Sequence, residues 1–371
     1  MTDVVREFVS SASPVTARNG AGFHPCQGLW HRPAGAAPRI AFIATHYNVD
    51  FSEHYLGELL ARRGFGFLGW NTRFRGNEAF FLLDPALIEI GVGVRWLREV
   101  AGVETVVLLG NSGGGSLMAA YQSQARGVTM APAPGMTLHP AVHELPPADL
   151  YVSLNAHGGR PEVMTAWMDA SVVDETDPLS VDPDLDPFRE DRAPPYDPDF
   201  VAAYRAGQTA RNHRISAWAR AELARLAERG VPDRTFLVHR VWADLRFMDP
   251  ALDPSQRRPN RCYAGDPRRA NFSPMNIGAL CTLRTWLSMW SLEDSWCRGA
   301  HHLERIDVPS LVIQSDADTG VFPSDAQAIH GQLGAADRTL EMVPGDHYLQ
   351  DPPDAREAVA DLVTDWVRAR T

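Results

Sequence analysis

Three short stretches of the chain carry residues that could do chemistry together. Gly110-Asn111-Ser112-Gly113-Gly114 reads Gly-x-Ser-x-Gly, one serine among neighbours small enough for a sharp, strained turn. A serine hydroxyl is a weak nucleophile. It needs a histidine to take its proton and a carboxylate to fix that histidine's tautomer and stabilise its cation. Both kinds of partner stand downstream: Pro344-Gly345-Asp346-His347-Tyr348 offers His347, with Asp346 as a loop capper, and Ser315-Asp316-Ala317-Asp318-Thr319-Gly320 offers Asp316 and Asp318. Glycine-serine clusters and turn aspartates are more often plain loops, so the chemical reading depends on the elements around them.

Val106 to Leu109 is apolar without alternation, as expected of a strand buried on both faces of a parallel sheet, and Leu117 to Tyr121 favours a helix. Strand, turn and helix together would project Ser112 from the sheet edge. The helix N-terminus would then favour developing negative charge, and the Gly113 N–H would be placed to donate to an oxyanion. Upstream, Arg39 to Thr45 and Phe65 to Trp70 read as strands flanking a helix over 52–63. A further helix is expected up to Val100, with Asp84 as N-cap and Pro85 at its first position. Residues 1–37 should supply one or two antiparallel edge strands, such as Gln27 to His31. Leu150 to Asn155 is the strand after the helix that follows Ser112. The pattern resumes as a strand over 309–314, a helix over 324–333, a strand over 339–343 and a helix over 355–370. Strand-helix alternation with right-handed crossovers gives a mostly parallel, doubly wound α/β sheet.

Between 158 and 304 the alternation stops. An Asp/Pro-rich stretch over 174–199 leads into a helix with Asp197 as N-cap and Pro198 first, running to Gly230 with a break at Gly207. A second helix from Ser273-Pro274 would present Leu280, Leu283, Leu287 and Trp290 at 3-4-3 spacing. We read this block as an inserted, mainly helical cap (lid) on a core of residues 1–157 and 305–371. Trp286, Met289 and Trp290 are candidates to bind substrate, although such a stripe is more often ordinary packing.

Gly110-Asn111-Ser112-Gly113-Gly114, the aspartate loop and His347 together resemble the α/β-hydrolase fold family, in its serine esterase or lipase-like form. The likeness covers roughly residues 38–157 and 305–371. It implies the chain order serine, acid, histidine, and it selects Asp318 over Asp316, from the family's spacing of an aspartate shortly before a proline. It also implies an acyl-enzyme: Ser112 attacks a carbonyl, His347 moves the proton, Asp318 orients it and water releases the acid. The second oxyanion donor should follow Thr45, where His46-Tyr47-Asn48 replaces the family's His-Gly, so the backbone N–H of Tyr47 or Asn48 is expected there, beside Gly113. Serine at 112 argues against related epoxide hydrolases and haloalkane dehalogenases, which carry aspartate. The expected function is hydrolysis of a carboxylic ester, lactone or thioester of a hydrophobic small molecule. The alternatives are carbon-carbon bond hydrolysis, acyl transfer, or non-catalytic ligand binding on the same fold.

Composition fits this reading. The 371 residues are 44% hydrophobic and 22% charged with a formal net charge of -11, which describes a globular protein and argues against nucleic acid or an anionic membrane surface as partner. No signal-peptide h-region or stretch of membrane-spanning length occurs, so the cytoplasm is expected. Cys26, Cys262, Cys281 and Cys297 are too scattered for a disulfide framework or a zinc site. No cofactor or metal is expected. Asp182-x-Asp184-x-Asp186 has Pro187 where a calcium loop needs glycine and Ala193 where it needs glutamate, and His301-His302, without a third ligand, reads as surface. His157 either lines a pocket or ends its strand. The expected partner is a small-molecule substrate, with a homo-oligomer left open.

Overall fold

Apolar runs without alternation become strands packed on both faces. The computed structural model describes residues 3–16, 22–35, 37–274 and 276–371. In chain order these form β1 (Val4–Ser11), β2 (Cys26–Pro33), β3 (Ile40–Ala44), α1 (Gly57–Arg62), β4 (Gly66–Asn71), α2 (Leu83–Glu99), β5 (Thr105–Asn111), α3 (Gly114–Ala125) and β6 (Leu150–Leu154). The block that follows carries α4 (Arg160–Trp167), α5 (Pro198–Ala227), β7 (Thr235–Leu237), α6 (Pro267–Ala270), β8 (Leu280–Thr282), α7 (Leu283–Thr285) and α8 (Ala300–Leu303). β9 (Ser310–Ser315), α9 (Pro323–Gln332), β10 (Arg338–Val343) and α10 (Ala355–Arg368) complete the chain.

The main sheet has eight strands in the order β1-β2-β4-β3-β5-β6-β9-β10. β1 and β2 are antiparallel edge strands, and every neighbouring pair from β4 to β10 is parallel. Alternate residues of β5 serve opposite cores. Val106 and Leu108 pack in the cluster that holds Leu87 of α2 and Met118 of α3, while Val107 and Leu109 pack with Leu60 of α1 and Val363 of α10. Burial on both faces is the physical reason this strand shows no polar alternation. β5 is also central, so the turn at its end is held between the ends of β3 and β6.

Several local expectations are corrected. α2 begins at Leu83, with Leu82 in the N-cap position; Asp84 lies in the first turn and accepts the His139 N–H. α5 starts as expected, with the Asp197 side chain accepting from Asp199 and Phe200 N–H, but it runs unbroken for 30 residues through Gly207. The helix expected from Ser273-Pro274 does not form. Gly278 takes a left-handed φ of 62°, Leu280–Thr282 pairs with β7, and Thr282 then caps a short turn that passes into a single π-turn over Trp286–Trp290. Apolar 3-4-3 spacing thus arose from a strand and a wide turn that share no helical axis. His302, expected at the surface, is buried and donates from Nε2 to the Trp296 carbonyl, whereas His301 is exposed. All four cysteines are buried and free. Among the described residues no helix is long and apolar enough to cross a membrane.

Candidate active site

Ser112 sits in the turn between β5 and α3 with φ of 56°, a left-handed conformation that a non-glycine residue adopts only when its surroundings enforce it. The enforcing contacts come from the end of β6 and the residues just after it: Ser112 N–H donates to the carbonyls of Leu154 and Asn155, and the Ser112 carbonyl accepts the His157 N–H at 3.0 Å. The following helix approaches β3 so closely that a methyl group on Gly114 would lie 2.4 Å from the Thr45 carbonyl oxygen. That spacing is why small residues flank the serine.

His347 and Asp318 meet in the loops after β10 and β9. His347 Nδ1 donates to Asp318 Oδ2 at 2.6 Å, and both residues are buried. The other carboxylate oxygen, Oδ1, accepts the N–H groups of Gly320 at 2.8 Å and Val321 at 3.0 Å. With its Nδ1 proton fixed on the carboxylate, the imidazole keeps Nε2 as its basic nitrogen. Asp316 is turned elsewhere and accepts the Gly345 N–H at 3.2 Å. Asp346 caps its own loop through the N–H groups of Tyr348 and Gln350.

Two residues that the sequence did not single out hold this arrangement together. Asn155, at φ of 43°, takes its backbone carbonyl to Ser112 N–H, its side-chain amide to the His347 carbonyl at 3.2 Å, and its Oδ1 to Ser315 N–H at 2.7 Å. One residue, through its backbone carbonyl and its side-chain amide, therefore ties the serine turn, the aspartate strand and the histidine loop. Its signal in the sequence was only an asparagine at a strand end, where left-handed backbone is tolerated. The second is Tyr263, from the block between β6 and β9. Its hydroxyl donates to Asp318 Oδ1 at 3.1 Å and lies 2.8 Å from His347 Nδ1, while its ring packs on the imidazole with centroids 4.2 Å apart. The ring passes over Gly320, where a methyl group would come within 2.2 Å of it. No local pattern around Tyr263 announces a contact made with residues 55 and 84 positions away.

The loop after β3 is built around His46. Its Nδ1 accepts the N–H groups of Asn48 at 3.3 Å and Val49 at 3.2 Å. Asn48 N–H is thereby engaged, whereas Tyr47 N–H has no such partner among the described residues. Tyr47 itself is fully buried, with its hydroxyl 3.1 Å from Ser116 Oγ. His157 is buried too, edge-on to Trp167. It borders a cavity of about 380 Å³ lined also by Trp167, Val163, Arg246, Gly320 and Ile329. Burial, then the positive charge of Arg160, lowers the pKa of both His46 and His157 well below the usual histidine value, so both are neutral at pH 7. Trp286, Met289 and Trp290 are all fully buried; Trp286 donates to Ser216 Oγ, and the Trp290 ring lies against the Arg160 guanidinium. Among the described residues no group of three or more His, Cys, Asp or Glu is arranged to hold a metal ion.

No family model and no curated protein matches the sequence. Solved structures do resemble it. DcsB, solved in complex with a substrate analogue, aligns with a TM-score of 0.53 at 12% identity over 98% of this chain and 99% of its own. The α/β hydrolase GrgF from Penicillium sp. sh18 aligns at 0.54 with 10% identity over 98% of each chain. Est1E from Butyrivibrio proteoclasticus aligns at 0.51 with 12% identity over 97% of this chain and 99% of its own. Strand order, the strained serine turn and these likenesses agree: the chain has the α/β-hydrolase fold.

Proposed function

We propose that the protein is a carboxylic ester hydrolase in which Ser112 is the nucleophile, His347 the general base and Asp318 the residue that orients and balances it. The observation that carries this reading is the pairing of His347 Nδ1 with Asp318 at 2.6 Å, in loops that Asn155 ties to the strained Ser112 turn. Ser112 attacks the substrate carbonyl as His347 Nε2 takes the hydroxyl proton. The alcohol leaves with that proton, and water activated by the same nitrogen releases the acid. The Gly113 N–H and the Tyr47 N–H are the backbone donors for the oxyanion. Residues 158–304 act as the cap over a core of residues 1–157 and 305–371, and Tyr263 is the cap's contact with the acid-base pair.

The test is turnover of p-nitrophenyl acyl esters of increasing chain length by wild type and Ser112→Ala at equal folded concentration. Release of p-nitrophenol by wild type, lost in the variant, supports the reading and sizes the acyl pocket; equal rates in the two proteins overturn it.

A further inference from the structure

Beside the serine turn lies a buried cation with hydrogen-bonding capacity to spare. Arg160, the first residue of α4, is 3% exposed, and its guanidinium lies between the rings of Tyr47 and Trp290, 4.7 and 4.8 Å from their centroids. Nη2 donates to Glu78 Oε1 at 2.7 Å, and the other oxygen of Glu78 accepts the Gly278 N–H at 2.9 Å. One carboxylate oxygen cannot satisfy five N–H groups. Nε is buried without a partner among the described residues, and the guanidinium's hydrogen bond to Glu78 leaves from Nη2, not Nη1. Nη1 points over Gly113, the residue after the serine: a methyl group there would lie 2.8 Å from Nη1 and 2.6 Å from His46 Nε2.

The His46 nitrogen is a donor as well. Nδ1 accepts two backbone N–H groups, so in the neutral ring the proton is on Nε2. Two side-chain donors, one of them a permanent cation, therefore converge on the space above Gly113. Of the carboxylates around it, Glu78 is engaged by Arg160 and Gly278, Asp318 by His347, Tyr263 and two backbone N–H groups, and Glu162 pairs through Oε1 with Arg298, its Oε2 having no partner among the described residues. A buried guanidinium with unpaired N–H groups is costly unless something anionic completes it, and its planar fork suits a carboxylate.

We propose that Arg160 and His46 form a carboxylate subsite, so that the preferred ester carries a free carboxylate one or two carbons from the reacting carbonyl. This rests on the ester-hydrolase reading and narrows its substrate class. The subsite is polar, in contrast to the hydrophobic acyl group expected from the tryptophan stripe.

The experiment compares monoethyl succinate with ethyl butyrate, which match in acyl chain length and differ in charge, with products quantified by chromatography. The ratio of kcat/KM, charged over neutral, is expected to exceed about 10 in wild type and to fall below one in Arg160→Gln. An unchanged ratio, including an equal loss on both esters, overturns the subsite and makes Arg160 a donor to the shared carbonyl. A second measurement needs no variant: succinate should slow fluorophosphonate labelling of wild type while butyramide at the same concentration does not. Labelling that succinate leaves untouched sinks the subsite alone. No labelling and no turnover of either ester sinks the hydrolase reading, and the subsite falls with it.

Discussion

The sheet that presents Ser112 and the block between β6 and β9 solve burial in different ways. In the sheet, alternate residues of each central strand enter two apolar cores, and Ser112, Asp318 and His347 stand in loops at its strand ends. In the block between β6 and β9 the apolar cluster around Trp167, Trp242 and Phe247 is smaller, and charges are buried with it. Asp169 pairs with Arg240 at 2.7 Å and accepts the Asn271 amide at 2.7 Å. Arg211 is fully buried between Glu175 and the carbonyls of Asp169 and His239. Asp244 lies between Arg205 and Arg246; burial works against its charge, but the two guanidinium groups hold its carboxyl below the usual range. The sheet is thus held mainly by apolar contacts, with the buried pair Arg73–Glu89 among them, whereas the block between β6 and β9 combines apolar contacts with several buried ion pairs. That block also supplies Tyr263, so its geometry reaches the His347–Asp318 pair.

The largest effect that would break this contrast is in the sheet's loops. His347→Ala should lower kcat by on the order of 10³-fold or more while leaving the unfolding midpoint nearly unchanged, measured by ester turnover and thermal melting. A large fall in stability with little loss of rate would make His347 a structural residue. In the insertion the expected balance is reversed. Asp169→Ala leaves Arg240 buried without its counter-charge and should cost about 3–5 kcal/mol in urea unfolding. A loss below about 1 kcal/mol would remove the contrast.

Tyr263→Phe joins the two regions. Loss of its hydrogen bond to Asp318 should reduce kcat by about 10-fold, equivalent to ~1.4 kcal/mol, and should shift the pH at which activity rises, with little change in KM. An unchanged pH profile would reduce Tyr263 to packing.

A further effect is on stability against pH. Burial lowers the pKa of His54 and of His302 to about 4, from an ordinary 6.5. Between pH 6.5 and 4 the unfolded chain binds more protons at these positions than the folded one. Stability should therefore fall as pH falls through that window, by up to about 1.4 kcal/mol per pH unit for each histidine, and these groups contribute no slope above it. Urea midpoints at pH 7, 6 and 5 measure the slope, and His302→Gln should flatten it by one group's share.

This difference also explains what the sequence revealed. β5, the serine turn, the Asp318 loop and the His347 loop were legible because local rules decide them: buried strands drop alternation, and strained turns demand small residues. Asp318 was separated from Asp316 only by resemblance; in the structure Asp318 faces His347. In the block between β6 and β9 local rules reach only part of the way, as at Asp197-Pro198, which starts α5 as expected. Gly278 turned an apparent helix into strand and π-turn, and Asn155, Tyr263 and Arg160 act through partners far away in sequence. Arg160 in particular reads as an ordinary helix-start residue until the fold brings it over Gly113.

The most direct test of the central claim is to treat the protein with a fluorophosphonate and locate the adduct by peptide mass spectrometry. One adduct is expected, on Ser112, formed at least about 100-fold more slowly in His347→Ala, as for a nucleophile that loses its general base. An adduct on another residue, or none on Ser112 in folded wild-type protein, would contradict it.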